Sequence, residues 1–409
     1  MNDLVILGGG CAGLSLAMRL ARLGEKCPIT TIIESRASYE NDRTWCFWAS
    51  SATRQHNISR DSIDTHEWVS HQWSSVMLKD DVEKVCIDCA DRPYQMLESS
   101  IFYEKAQKII AQNSRITLLF DTDVIKAPTK HNDVWHIQDK HQAFLTKYIV
   151  DTRPNNAVKT SDSLMWQSFL GQEVTCETDV FNTDFATLMD FSSNHITKAI
   201  TPNEHVAFTY VLPITSKRAL VEATVFARNQ LTRQDLAKSL VDAISSVTQK
   251  KAIKVQRTEY GVLPMGLKNY DLNQEHKKDF SHYLNHDKTY IKAGLFFGGA
   301  RPSSGYAFMR IQRWAESCTH AIASGGLPIG HKPDSTWLNW MDSMFLKVML
   351  KEPSLAHTLF LAMFKKVNAS SMVRFLSDNA EIKDYILIIL ALPPLPFLKQ
   401  VFRQMLHRE

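Results

Sequence analysis

The first strong pattern along the chain is an apolar run, Leu4-Val5-Ile6-Leu7, closed by three glycines at Gly8, Gly9 and Gly10. Short apolar runs bounded by glycine read as buried strands, and residues 3–8 are predicted to form one. Residues 13–23 are predicted helical, with Leu14, Leu16, Ala17 and Leu20 apolar, and residues 29–34 are predicted to be a second strand. The chain thus opens with a βαβ unit. A polar stretch rich in Trp and His runs to about residue 95. Residues 100–112 then carry a helical pattern and Tyr148–Asp151 a strand pattern. From about 165 to 265 strand patterns dominate. Phe208–Leu212 and Ala219–Phe226 predict a hairpin around Thr215-Ser216-Lys217-Arg218. A helix interrupts at 232–247, where Leu236, Leu240, Val241, Ile244 and Val247 share one face. Residues 290–294 predict a strand that returns to the first unit, followed by a Gly-rich turn and a helix from about Gly305. From 335 onward the pattern is helical throughout.

Composition narrows the class. With 409 residues, 44% hydrophobic and 22% charged, the chain has material for two or three domains and is not a disordered or repeat-only protein. A net charge of +4 with mixed signs is too mild for a nucleic-acid partner. The seven cysteines, Cys11, Cys27, Cys46, Cys86, Cys89, Cys176 and Cys318, are odd in number and scattered, a reduced cytoplasmic pattern. Cys86 and Cys89 form a lone CxxC without a second pair or a His partner, read as two ordinary thiols, with a redox or zinc role as the alternative. The N-terminus has no basic region and Asp3 interrupts its apolar run, so a signal peptide is not expected. No run reaches the ~18 apolar residues of a membrane span. The longest, Tyr385–Leu392, stops at Pro393-Pro394.

The glycines carry the first chemistry. Gly8-Gly9-Gly10-Cys11-Ala12-Gly13 fits GxGxxG and lies directly after a strand and at the start of a helix. The first glycine permits the tight turn, the second lets backbone approach a pyrophosphate, and the third allows close helix–strand packing. The helix N-terminus then presents its positive dipole end to the phosphates. Glu34, at the end of the second strand, has the spacing of an acid that grips a ribose hydroxyl. A second Gly-rich element, Gly298-Gly299-Ala300-Arg301-Pro302-Ser303-Ser304-Gly305-Tyr306, resembles the late flavin-contacting segment of the glutathione-reductase-like FAD fold. The alternative is a plain connecting turn.

Several motifs in order resemble the lycopene cyclases of carotenoid biosynthesis, the bacterial β-cyclase type most of all. They are Arg43-Thr44-Trp45-Cys46-Phe47-Trp48, Phe169-Leu170-Gly171-Gln172-Glu173, Leu188-Met189-Asp190-Phe191, Phe208–Pro213, Leu220-Val221-Glu222-Ala223-Thr224, Glu259–Gly266, Pro302–Tyr306 and the closing Pro393-Pro394-x-Pro396. Two places depart from the family pattern: Asp151-Thr152-Arg153-Pro154 replaces Asp-Gly-Arg-Gly, and Arg301 stands where most members have a His.

The resemblance implies an α/β architecture: a glutathione-reductase-like FAD-binding Rossmann fold with an inserted antiparallel β-sheet substrate domain and a C-terminal helical subdomain. Residues 1–160 and 286–332 would form the FAD-binding part, with a small insertion at about 45–95. Residues 161–285 would form the substrate domain and 333–409 the helical one. Gly8, Gly10, Cys11, Ala12, Gly13, Glu34, Arg43, Asp151, Gly305 and Tyr306 would hold FAD in its reduced form, with NAD(P)H as reductant. The implied activity is redox-neutral: a proton adds to a terminal double bond of lycopene, a neighbouring double bond attacks the cation, and a proton is lost. The alternative on the same fold is an FAD-dependent monooxygenase acting on an apolar substrate. A flavin halogenase would carry Trp-x-Trp-x-Ile-Pro, which is absent.

Glu222 is the candidate acid. Alternation places Leu220, Glu222, Thr224 and Phe226 on one strand face and Ala219, Val221, Ala223 and Val225 on the other, so both faces are largely apolar. Desolvation raises a carboxyl's pKa, and a neutral carboxylic acid can donate a proton. The competing reading is a Glu at a domain edge, bound to solvent or to Arg218. Glu259 and Asp190 are candidates to orient Glu222 or accept a proton, or to form structural ion pairs. Trp45, Phe47, Tyr210 and Tyr306 would line a tunnel and stabilise a cation, or simply pack in the core.

The apolar tail fits a long polyene stored in a bilayer. Trp337, Trp340, Met341, Met344, Phe345, Val348 and Met349 recur at helical spacing. A helical lid with an exposed apolar face would dock peripherally on the inner membrane surface without spanning it, the mild positive charge assisting. The alternative is a subdomain that simply covers the first domain.

Overall fold

A computed structural model of the protein describes residues 1–49, 65–124, 126–154, 162–192, 204–267 and 287–407. The expected domain boundaries at 160/161 and 285/286 lie outside the described residues, as does part of the stretch 45–95.

The chain opens as β1 (Asn2–Leu7), α1 (Cys11–Ala21) and β2 (Thr30–Ile33). Small strands follow: β3 (Thr44–Trp48), β4 (His71–Trp73), β5 (Ser75–Lys79), β6 (Lys84–Asp88) and β7 (Tyr94–Glu98). Next come α2 (Ser99–Ile110), β8 (Ile116–Leu119), β9 (Thr129–His131), β10 (Val134–Gln138) and β11 (Ala143–Asp151). The middle of the chain supplies β12 (Ser163–Cys176), β13 (Ala186–Asp190), β14 (Val206–Thr215), β15 (Arg218–Ala227), α3 (Arg233–Val247) and β16 (Ile253–Leu267). Then β17 (Tyr290–Lys292) leads into α4 (Phe308–Ala323). The tail is helical: α5 (Thr336–Lys351), α6 (Ala356–Lys366), α7 (Ala369–Leu376), α8 (Ile382–Ala391) and α9 (Pro394–His407).

One sheet runs β8-β2-β1-β11-β10-β9, and the late strand β17 pairs with the C-terminal end of β11. Its β8, β2, β1, β11 and β17 are parallel, which suits strands buried on both faces. Leu4, Ile6, Leu14, Leu16, Ile32, Phe102 and Trp314 form the core between this sheet and α1, α2 and α4. The second sheet runs β16-β12-β15-β14-β13-β5-β6. The predicted hairpin is its centre, β14 and β15 joined by the two-residue turn Ser216-Lys217. Val221, Ala223 and Val225 face α3, whose start is fixed by a reciprocal cap between Thr232 and Asp235. The other face looks toward the C-terminal helices, where Leu346, Met349, Leu359 and Met372 join its core.

Two expectations change. The second sheet is not wholly antiparallel, because β13 and β5 pair in parallel. The segment expected as an insertion into the first unit is also split: β3, β7 and β4 make a small separate sheet, while β5 and β6 extend the large one. Val76 and Leu78 of β5 are fully buried in the core under α6, so pairing with β13 covers an apolar face that an isolated insertion would leave wet.

Candidate active site

A cavity of about 1150 Å³ runs between the first sheet, the inner face of the second sheet and the C-terminal helices. At one end it is lined by Gly8, Gly10, Cys11, Glu34, Arg43 and Thr152, and in the middle by Trp45, Tyr94, Tyr210, Glu222, Gly305 and Tyr306. Its far end is apolar, with Met341, Phe345, Phe360, Ile388 and Phe397 among the lining residues.

The glycine loop is shaped as the motif demands. Gly8 has φ +94°, a left-handed conformation that favours glycine. A Cβ on Gly13 would stand 2.0 Å from the Gly8 carbonyl oxygen, whereas beside Gly10 the space is open. Thr152, one of the departures from the family pattern, donates its hydroxyl to the Leu7 and Gly8 carbonyls and pins the loop. Glu34 accepts from the Gly9 N–H at 2.9 Å and from Arg36. Burial pushes its pKa upward, but the Arg36 and backbone hydrogen bonds outweigh this and hold it below the ordinary value. Arg36 was not singled out in the sequence; its place two residues after Glu34 is the signal that marks it.

Of the remaining nucleotide-site candidates, Gly305 and Tyr306 line the cavity, and Gly305 has φ +71°. Ala12, Gly13 and Asp151 do not line it. Gly13 acts through loop packing, while Asp151 holds Arg153 in a two-point ion pair and accepts from the Tyr290 hydroxyl at 2.6 Å. The turn that carries Gly305 is tied to the helical tail. Arg301, the second departure, is fully buried, pairs with Asp342 of α5 and Asp378, and donates to the Phe375 carbonyl. The loop, the open approach at Gly10 and the acid at the second strand fit the adenosine and pyrophosphate parts of FAD. Gly13→Ala is therefore expected to give a folded protein that purifies without flavin absorbance, because the clash is with backbone and cannot be relieved by a rotamer change.

The acid site is built by register. Across the second sheet, Tyr210 pairs with Glu222, Glu222 with Gly171, and Gly171 with Glu259. Residues directly opposite in a sheet share a face, so this row places two carboxyls on either side of a residue with no side chain. A Cβ on Gly171 would stand 2.7 Å from Glu222 Cγ. Glu222 and Glu259 meet above it and share a hydrogen bond. Burial pushes the Glu222 pKa well above the carboxylate range; the bond to Glu259 and its charge add to this, with Arg257 opposing weakly. The Glu259 Oε2 accepts from Thr44 at 2.8 Å and from Arg257 at 2.6 Å, and Arg257 also pairs with Glu173. These bonds anchor Glu259, while burial favours the protonated form of Glu222. Thr44 and Arg257 were not foreseen; Arg257 lies two residues before Glu259, on the same strand face.

Beside the acid, the Tyr94 hydroxyl lies 3.0 Å from that of Tyr210 and 3.3 Å from that of Tyr306. Burial pushes the Tyr306 pKa up to about 12 and raises those of Tyr94 and Tyr210 well above the ordinary phenol range, so all three stay neutral. Of the expected aromatic lining, Trp45, Tyr210 and Tyr306 are in place. Phe47 instead stacks on Phe308 in the core, ring centres 4.9 Å apart.

Asp190 is not brought to this site. It pairs with Thr209, the neighbour of Tyr210, and so points to the opposite face of the sheet. There it binds Lys79 at 2.9 Å and accepts from the Ser192 backbone and hydroxyl. Asp190→Asn is expected to lower stability by about 1–3 kcal/mol and leave the turnover of folded protein unchanged. A normal melting temperature with lost kcat would return Asp190 to the chemistry.

A sequence profile of the family described as lycopene cyclase protein matches residues 3–401. No curated protein sequence matches the chain. Among solved structures, the chain is similar to a geranylgeranyl bacteriochlorophyll reductase-like protein from Thermoplasma acidophilum, at 11% identity and TM-score 0.56, over 97% of this chain and 98% of that one. It is similar to p-nitrophenol 4-monooxygenase from Pseudomonas putida at 12% identity and TM-score 0.55, over 97% and 98%. A halogenase in complex with FAD aligns at 10% identity and TM-score 0.51, over 91% of this chain and 78% of that one. At these identities the likeness establishes the fold, a mixed α/β fold shared with flavoproteins.

Proposed function

The chain belongs to the lycopene cyclase family, and from that premise we propose that it is a lycopene β-cyclase that closes the linear ends of its substrate by acid catalysis. The observation that carries this reading is the Glu222–Glu259 pair: a neutral carboxylic acid on the wall of a long, largely apolar cavity.

In the proposed reaction Glu222 transfers its proton to the terminal double bond. The tertiary cation that results is attacked by the neighbouring double bond, one carbon–carbon bond forms, and a ring proton is lost to leave the new ring double bond. Protons balance, so no net redox change occurs. Once deprotonated, Glu222 is a carboxylate beside the cation. Arg257 and Thr44 hold Glu259 in place throughout, and the ring proton returns to Glu222, whose charged form burial disfavours. The ring faces of Trp45, Tyr210 and Tyr306 stabilise positive charge, and the three neutral tyrosine hydroxyls do not compete as acids. FAD would be held by Gly8, Gly10, Cys11, Glu34, Gly305 and Tyr306. When bound in the reduced form, kept so by NAD(P)H, it supplies an electron-rich surface to this cavity.

Co-expression with a pathway that accumulates lycopene tests the reading: β-ring products are expected on chromatography. Unchanged lycopene, or a hydroxylated acyclic product, would overturn it in favour of no cyclase activity or of a monooxygenase.

A further inference from the structure

Helices α8 and α9 meet at a sharp elbow at Leu392-Pro393, bent by 98°. Among the described residues no single helix is long and apolar enough to cross a membrane. Yet the outward faces of this elbow are apolar. On α9, Leu395, Leu398, Phe402 and Met405 follow a 3-4-3 spacing and all are exposed, so the stripe that a globular helix would bury points out. On α8, Ile382, Ile386, Ile389 and Leu390 do the same. The inward faces are already used: Ile388 and Ala391 are buried in the core, and Phe397 packs on Phe345. Exposed apolar side chains gathered on one face in this way call for an occupant.

Two further observations identify that occupant. The cavity ends here, because Trp337, Trp340, Ile389, Pro394 and Leu398 line it and are also exposed. Trp337 and Trp340 stack at 5.4 Å beside this opening, and Trp is favoured at a lipid–water interface. The flanks are basic: exposed Lys399 and Arg403 lie one turn apart on α9, and the helix from Pro394 to His407 contains no carboxylate.

We propose that the α8–α9 elbow is a docking surface for an anionic lipid bilayer, inserted in its plane so that the cavity opens directly into the acyl region. A protein partner with this face would need carboxylates opposite Lys399 and Arg403 together with a complementary apolar groove; a bilayer of anionic lipid supplies both features without a specific fit. The proposal rests on the reading above only for what passes through the opening.

Leu390, Leu395 and Phe402 are 73%, 68% and 62% exposed and do not line the cavity, so a Leu390→Ser/Leu395→Ser/Phe402→Ser protein should fold normally. The test is co-sedimentation of the full chain with vesicles of phosphatidylglycerol and phosphatidylethanolamine. The wild-type protein is expected to pellet, more weakly with pure phosphatidylcholine, and the triple variant to partition roughly tenfold less. Lycopene in detergent should be converted equally by both proteins, and lycopene delivered in vesicles only by the wild type. Equal pelleting of the two proteins, or no pelleting of the wild type, would overturn the proposal. So would a wild-type dimer in gel filtration that the triple variant breaks, which would assign the face to a second copy. Vesicle binding without conversion of lycopene in either vehicle would uphold the docking surface and sink the substrate reading instead.

Discussion

Glu222→Gln is expected to abolish ring formation, by roughly 10³-fold or more in kcat, while leaving the fold and flavin binding intact. The amide is isosteric and donates to Glu259 as the protonated acid does, so the row Tyr210, Glu222, Gly171 and Glu259 is preserved. Only the transferable proton is gone. The substitution also has a signature in stability. Glu222 is raised in the folded protein above its unfolded value, chiefly by burial and then by Glu259. Such a group binds its proton more tightly when folded, so its contribution is fully present below the unfolded pKa and is lost as pH rises through the folded one. The wild type should therefore lose thermal stability on the alkaline side relative to Glu222→Gln, and the gap between their melting temperatures should widen with pH. Catalysis runs in the same direction: the neutral acid is the active form, so kcat should fall as pH rises through the raised pKa. A Glu222→Gln protein that folds, binds FAD and cyclises at the normal rate would remove Glu222 from the mechanism.

Gly171→Ala is expected to cost roughly 10²-fold in kcat without touching either carboxylate. The added Cβ would lie 2.7 Å from Glu222 Cγ and 3.2 Å from its Oε1, so the side chain must swing away from Glu259. Burial persists, but the hydrogen bond and the nearby negative charge that also raise the Glu222 pKa are weakened. The alkaline limb of the pH–rate profile should therefore move to lower pH. A variant that is merely less stable would lose activity with no such displacement. If kcat and its pH profile both stay at wild-type values, the carboxyl pair is not the catalytic unit.

The opening βαβ unit, the glycine loop and the outline of the β14–β15 hairpin could be read from local pattern, because each depends on neighbours in sequence. Glu222 was found the same way, through alternation on one strand. Its partner could be named but not placed. Glu259 meets Glu222 only because β12 lies between their strands in one particular register and carries glycine at the crossing, and register is a property of three segments far apart in sequence. The same limit misassigned Asp190, whose motif looked equivalent. One residue of register puts it on the far face with Lys79. The split of the 45–95 stretch was hidden because β5 pairs with β13, over a hundred residues away. In the tail, helical spacing marked apolar stripes correctly, but spacing is the same for a stripe that faces in and one that faces out. Only the packed structure shows that Met344, Val348 and Met349 of the Trp337–Met349 stripe face in while Trp337 and Trp340 face out.

In the proposed reaction the proton delivered to the substrate comes from an exchangeable carboxylic acid, with no net oxidation. The most direct measurement is anaerobic incubation of lycopene with the FAD-loaded, pre-reduced protein in D2O, followed by mass spectrometry of the product and by measurement of residual NAD(P)H. The expected product is a cyclised carotenoid carrying one deuterium per ring, with no stoichiometric loss of NAD(P)H. Oxygen-dependent NAD(P)H consumption with a hydroxylated product, or rings formed without solvent deuterium, would contradict it.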